Sequence, residues 1–85
     1  MYHISKSNSL SETKQIEILR KRYPIGTRIK LVHMDDIQAP PTGTLGTVRY
    51  VDDIGTIHIK WDNGSSLGLV IGEDRFVVIQ KPSNV

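Results

Sequence analysis

Six of the nine acidic residues in this 85-residue chain stand as adjacent pairs: Asp35-Asp36, Asp52-Asp53 and Glu73-Asp74. Carboxylates gathered on one surface attract a basic protein surface or hold a divalent cation through oxygen ligands. The cation reading is the weaker one, because no Asp-x-Asp-x-Asp-Gly calcium loop is present. Zinc is not expected either. The chain has no cysteine, and His3, His33 and His58 lack ligand spacing. Each pair also has a plainer reading, since aspartate commonly caps a turn by accepting nearby backbone amides.

The other reactive types do not assemble into a catalytic set. Ser65 and Ser66 follow Gly64 as turn residues, without the strand-to-helix setting of a nucleophile elbow. No glycine-rich phosphate loop opens a helix. A nucleophile, a base with an orienting partner and a cofactor motif are all missing, so neither an enzyme nor a cofactor is expected. The positive counterpart to the acids is Lys14, Arg20, Lys21 and Arg22, which could contact nucleic-acid phosphates without sequence specificity. Its plainer reading is the solvated face of an amphipathic helix. Arg28, Arg49 and Arg75 could offer phosphate forks to a small signalling nucleotide. Aromatic platforms for single strands are few: Tyr2, Tyr23, Tyr50, Trp61 and Phe76.

Charge is divided along the chain. Residues 1–30 carry seven bases against two acids, and residues 31–85 carry four bases against seven acids. The formal net charge of +2 therefore describes neither end. A hydrophobic content of 38% with 24% charged residues is that of a globular domain. No apolar run approaches the roughly 20 residues of a membrane span, and no secretory leader is recognisable. Without cysteine, a reducing cytoplasm is the natural setting. A chain of this length buries only about 60% of its unfolded surface, which calls for one compact domain.

These side chains must be positioned by short elements. Residues 1–9 lack periodicity and read as a flexible N-terminus. Ser9 and Glu12 form a capping box, and Ile16, Leu19 and Tyr23 share a helical face. An amphipathic helix over 10–22 is expected to pack on the rest of the chain and stop before Pro24. From residue 24 the apolar period shortens to two. Strands are expected over 27–33, 45–51, 56–61, 66–70 and 76–80. A long loop over 34–44 holds Pro40, Pro41 and Gly43. Asp62, Asn63 and Gly64 supply the strongest hairpin signal. Five short strands with this loop pattern predict a mainly β fold, a small five-stranded SH3-like barrel over 24–81 behind one N-terminal α-helix, with a tail at 82–85. The expected core is Ile29, Leu31, Val48, Ile57, Ile59, Leu67, Leu69, Val77 and Ile79, with Trp61 on the same face of its strand as Ile57 and Ile59.

A series of short motifs also resembles a known family. The run Tyr23-Pro24-Ile25-Gly26-Thr27-Arg28 is followed by Met34-Asp35-Asp36, Pro40-Pro41, Gly46-Thr47-Val48 and Val51-Asp52-Asp53-Ile54-Gly55. His58, Trp61-Asp62-Asn63-Gly64-Ser65 and Gly72-Glu73-Asp74 complete it. Together these motifs resemble the domain of unknown function DUF4314 over about residues 20–79. Ile37 departs from the proline expected there. The Trp-Asp-Asn-Gly turn also resembles that of other SH3-like binding modules. The family resemblance implies an origin in bacteria, their phages or mobile elements, and it carries no catalytic residues.

In the expected barrel the three acidic pairs gather at one end. The leading expectation is a non-enzymatic module whose rim of Asp35, Asp36, Asp52, Asp53, Glu73 and Asp74 binds a basic host protein, for example as an inhibitor of a defence system such as CRISPR. The alternatives are a nucleic-acid accessory protein using Lys14, Arg20, Lys21 and Arg22, and a sequestering protein for a signalling nucleotide.

Overall fold

The structure, a computed structural model, describes residues 2–82, with side chains described from Glu12 onward. One helix, α1 (Tyr2–Arg22), precedes four strands: β1 (Arg28–His33), β2 (Leu45–Val51), β3 (Ile57–Trp61) and β4 (Arg75–Gln80). The helix stops where Pro24 removes a backbone donor, and Arg20, Lys21 and Arg22 place positive charge at the negative end of its dipole. Its start differs from the expected one. No glycine or proline interrupts residues 2–22, so the helical backbone runs through Ser9 instead of beginning after it. The Ser9 side chain of the expected capping box, and residues 83–85 of the expected tail, lie outside the described residues. Among the described residues no helix is long and apolar enough to cross a membrane.

The strands form one antiparallel sheet in the order β3-β2-β1-β4. Arg28 pairs with Thr47, Val48 with Ile59, and Leu31 with Phe76. The sheet has four strands and is not closed, where five strands and a barrel were expected. The expected strand over 66–70 is reduced to a bridge at Leu69, which exchanges two 2.9 Å backbone bonds with Ile57. Beside that bridge, the Trp61 Nε1 donates to the Leu67 carbonyl at 2.8 Å.

Ile29, Leu31, Val48, Val51, Ile57, Ile59, Trp61 and Leu69 form the buried core, with Leu19, Tyr23, Met34 and Phe76 packed against it. At Gly46, a Cβ would lie 2.5 Å from Ile59 Cγ2 and 2.9 Å from Trp61 Cε3, so β2 can pass this close to the indole only without a side chain. Three expected core residues fall outside. Leu67 is half-buried, and Val77 and Ile79 are exposed. In β4 the register sets Phe76 against Leu31 and Val78 against Ile29, so the inward phase is one residue away from the expected one.

Several contacts fasten α1, and Tyr23 just after it, to the β region, with Leu19 packed against the core and Arg20 also paired with Asp53. Arg20 Nε donates to the Val51 carbonyl at 3.1 Å, Tyr23 meets Phe76 with ring centroids 5.4 Å apart, and Lys81 Nζ donates to the Arg22 carbonyl at 2.7 Å.

Candidate functional site

The β2–β3 turn is built around Asp52. Its Oδ1 accepts the Ile54 and Thr56 amides at 3.1 and 2.9 Å, and its Oδ2 lies 2.8 Å from His58 Nε2. Gly55 adopts a φ of 90°, which lets its amide return to the Asp52 carbonyl at 3.0 Å. The hydrogen bond with His58, and after it the two backbone amides, hold the Asp52 carboxyl below its ordinary value of 3.8, against the opposing effect of desolvation. Asp53 forms an ion pair with Arg20 at 2.9 Å, and as a solvent-exposed pair this adds little to stability.

The other two acidic pairs are held more loosely. In the loop over 34–44, Asp36 Oδ1 accepts the Gln38 amide at 2.7 Å. In the turn before β4, Asp74 Oδ2 accepts the Val70 amide at 2.8 Å. Asp35 and Glu73 have no side-chain partner among the described residues. His33 pairs with Arg75, so the chain leaves β1 and enters β4 at the same end of the sheet.

The Asp52-Asp53 turn is at the other end of β2 from the 34–44 loop. It approaches the third pair by a different route. A groove of about 800 Å³ between α1 and the turns is lined by Ile16, Leu19, Asp53, Ile54, Val70 and Ile71 among others, and Ile71 leads directly into Gly72-Glu73-Asp74. Of the three acidic pairs, only Asp53 lines the groove. The pairs do not converge on a point, and no cluster of three acidic or histidine side chains among the described residues could hold a metal ion.

The most exposed large apolar side chains follow two of the pairs. Ile37 is 100% exposed after Asp35-Asp36, and Ile54 is 86% exposed after Asp52-Asp53. Sequence reasoning missed these two residues, although the signal was readable as the same Asp-Asp-Ile triplet written twice. It also missed the link between Asp52 and His58, which the hairpin creates by turning residue 58 back toward residue 52.

The remaining candidates divide between structural and free. Arg20 is committed to Val51 and Asp53, whereas Lys14, Lys21 and Arg22 are exposed on α1. Asp62 accepts a two-pronged bond from Arg28 with both contacts at 2.8 Å, and Arg28 also reaches Thr47 Oγ1 at 2.9 Å. That guanidinium hydrogen bond lowers the Asp62 carboxyl and raises Arg28. Asn63 Oδ1 accepts the Ser65 amide at 3.0 Å, and Gly64 supplies a φ of 92°. Asp62, Asn63 and Gly64 therefore form the expected turn.

A family model described as "Domain of unknown function (DUF4314)" matches residues 12–79. The chain belongs to the DUF4314 family. The matched DUF4314 span runs from the second half of α1 nearly to the end of β4, and it contains all three acidic pairs and every residue that lines the groove. No curated protein and no solved structure matches the chain.

Proposed function

We propose that this DUF4314 domain is a non-enzymatic binding module of SH3-like form that docks a basic segment of a partner protein across its acidic rim. The SH3-like reading is supported by the strand order, with Leu69 bridged to the free side of β3 as a fifth strand would be. One observation carries the functional reading: a groove walled by Ile16, Leu19, Ile54, Val70 and Ile71 also carries Glu12 and Asp53 beside Arg22, and Ile71 leads into the turn holding Glu73 and Asp74. Apolar anchors in such a groove would supply affinity, while lysine or arginine against the rim would set orientation and raise the association rate. Asp35 and Glu73, which spend no bonds inside the fold, are the carboxylates most available to a partner. In a phage or mobile element, covering the basic nucleic-acid channel of a host defence protein is one use of this surface.

Pull-down from nuclease-treated host lysate tests the reading. Wild-type protein retains a specific basic protein, and Asp35→Lys combined with Asp53→Lys and Glu73→Lys releases it. Ile54→Asp weakens retention without added positive charge. Retention unchanged by the triple substitution, or lost on nuclease treatment alone, would overturn the proposal.

A further inference from the structure

On the side of the sheet facing away from the core, the charge is reversed. Ile57, Ile59 and Trp61 are buried, so His58 and Lys60 lie on the other face of β3. Thr47 pairs with both Lys60 and Arg28, which places cations on the outer faces of β3 and β1, and Lys30 follows Arg28 on the same side of β1. At the β3 edge, a pocket of about 370 Å³ is lined by Arg49, Lys60, Gly64, Ser65 and Ser66 together with the edges of Ile59 and Trp61. No acid lines it. Neither the Arg49 nor the Lys60 side chain has an ion pair or hydrogen bond among the described residues, although Lys60 lies close enough to Asp62 to help lower its carboxyl. The acids nearby in sequence are already engaged, Asp62 by Arg28 and Asp52 by His58.

The donors that remain suit a phosphate. Arg49 offers a planar fork, Lys60 a point charge, and the Ser65 and Ser66 hydroxyls can both donate. Beside the pocket, Tyr50 stacks on His58 with ring centroids 4.3 Å apart and an interplanar angle of 10°. Tyr50 is half exposed, so this pair presents a flat aromatic surface adjacent in sequence to Arg49 and two residues from Lys60.

We infer that this outer face binds a single-stranded nucleic acid, with a phosphate in the Arg49–Lys60 pocket and a neighbouring base stacked on Tyr50. A strand is favoured over a free nucleotide because a further exposed cation, Lys30, lies on the same side of the sheet beyond the Arg28–Asp62 pair, and because the aromatic surface is open. The pocket shares no lining residue with the groove, although His58 of the aromatic pair is bonded to Asp52, so the Arg49 and Lys60 variants test this assignment apart from the first proposal.

Fluorescence anisotropy with a short labelled oligothymidine at low salt, with thymidine monophosphate as competitor, is the test. The wild type binds the strand, and affinity falls as salt rises. Arg49→Ala with Lys60→Ala lowers the slope of log affinity against log salt by about two. Tyr50→Ala weakens binding roughly tenfold. Lys14→Ala with Lys21→Ala changes little, and the monophosphate competes poorly. Arg49→Gln with Lys60→Gln, checked by circular dichroism, repeats the result on a folded chain. Absence of strand binding, wild-type affinity in both pocket variants, an equal loss in the helix variant, or competition by the monophosphate as strong as by unlabelled strand would each overturn the assignment.

Discussion

The triplet Asp-Asp-Ile occurs twice, and the two copies do different work. In the β2–β3 turn, Asp52 accepts two amides and pairs with His58, and Asp53 is tied to α1 through Arg20. In the 34–44 loop, Asp36 accepts one amide and Asp35 none. The difference lies in what surrounds each copy. A tight turn closed by Gly55 returns amides toward the first aspartate, whereas the longer loop carries Asp35-Asp36 past the end of β1. A carboxylate whose acceptor sites are filled from inside is part of the scaffold, and one whose sites are empty is available to a partner. Each isoleucine stays exposed, so the apolar third residue does not distinguish the copies.

The contrast predicts that the β2–β3 side is the structural half. The largest effect is expected at Trp61→Ala, which removes the biggest buried side chain and the bond to Leu67, and should cost about 3–5 kcal/mol in chemical denaturation. Next comes Gly46→Ala, which forces a methyl against Ile59 and Trp61 and should cost about 1–3 kcal/mol. A smaller but clear fall in melting temperature is expected for Asp52→Asn, which loses the charged acceptor of the turn. Because the Asp52 carboxyl is held below 3.8 in the folded chain, its stabilising contribution is present above that value and is lost as pH falls through the lower folded value. The melting temperatures of wild type and Asp52→Asn should therefore converge in strong acid. The smallest effect is expected at Val77→Thr on the outer side of edge strand β4, within about 0.5 kcal/mol. A large loss there, or none at Trp61, would reverse the assignment of halves.

Much of the fold was legible because local rules dominate it. Pro24 ends α1, alternation marks β1 to β3, and Asn63-Gly64 marks the hairpin that follows. The phase of β4 was not legible, because Phe76-Val77-Val78-Ile79 is apolar throughout and either alternate set could face inward. The fifth strand is shortened to the bridge at Leu69, and the bond from the Trp61 indole to the Leu67 carbonyl beside it is a contact that spacing does not reveal. For the site, the acidic pairs and their loops could be read directly. Which carboxylates are filled depends on turn geometry, and the Tyr50–His58 stack depends on the register shift between Val48 and Tyr50.

The most direct measurement is thermal unfolding of Asp52→Asn and Asp35→Asn side by side at neutral pH, followed by circular dichroism. A lowered midpoint for Asp52→Asn alone, with Asp35→Asn matching the wild type, is the expected result. Equal shifts in the two variants would contradict the division between a scaffold triplet and an available one.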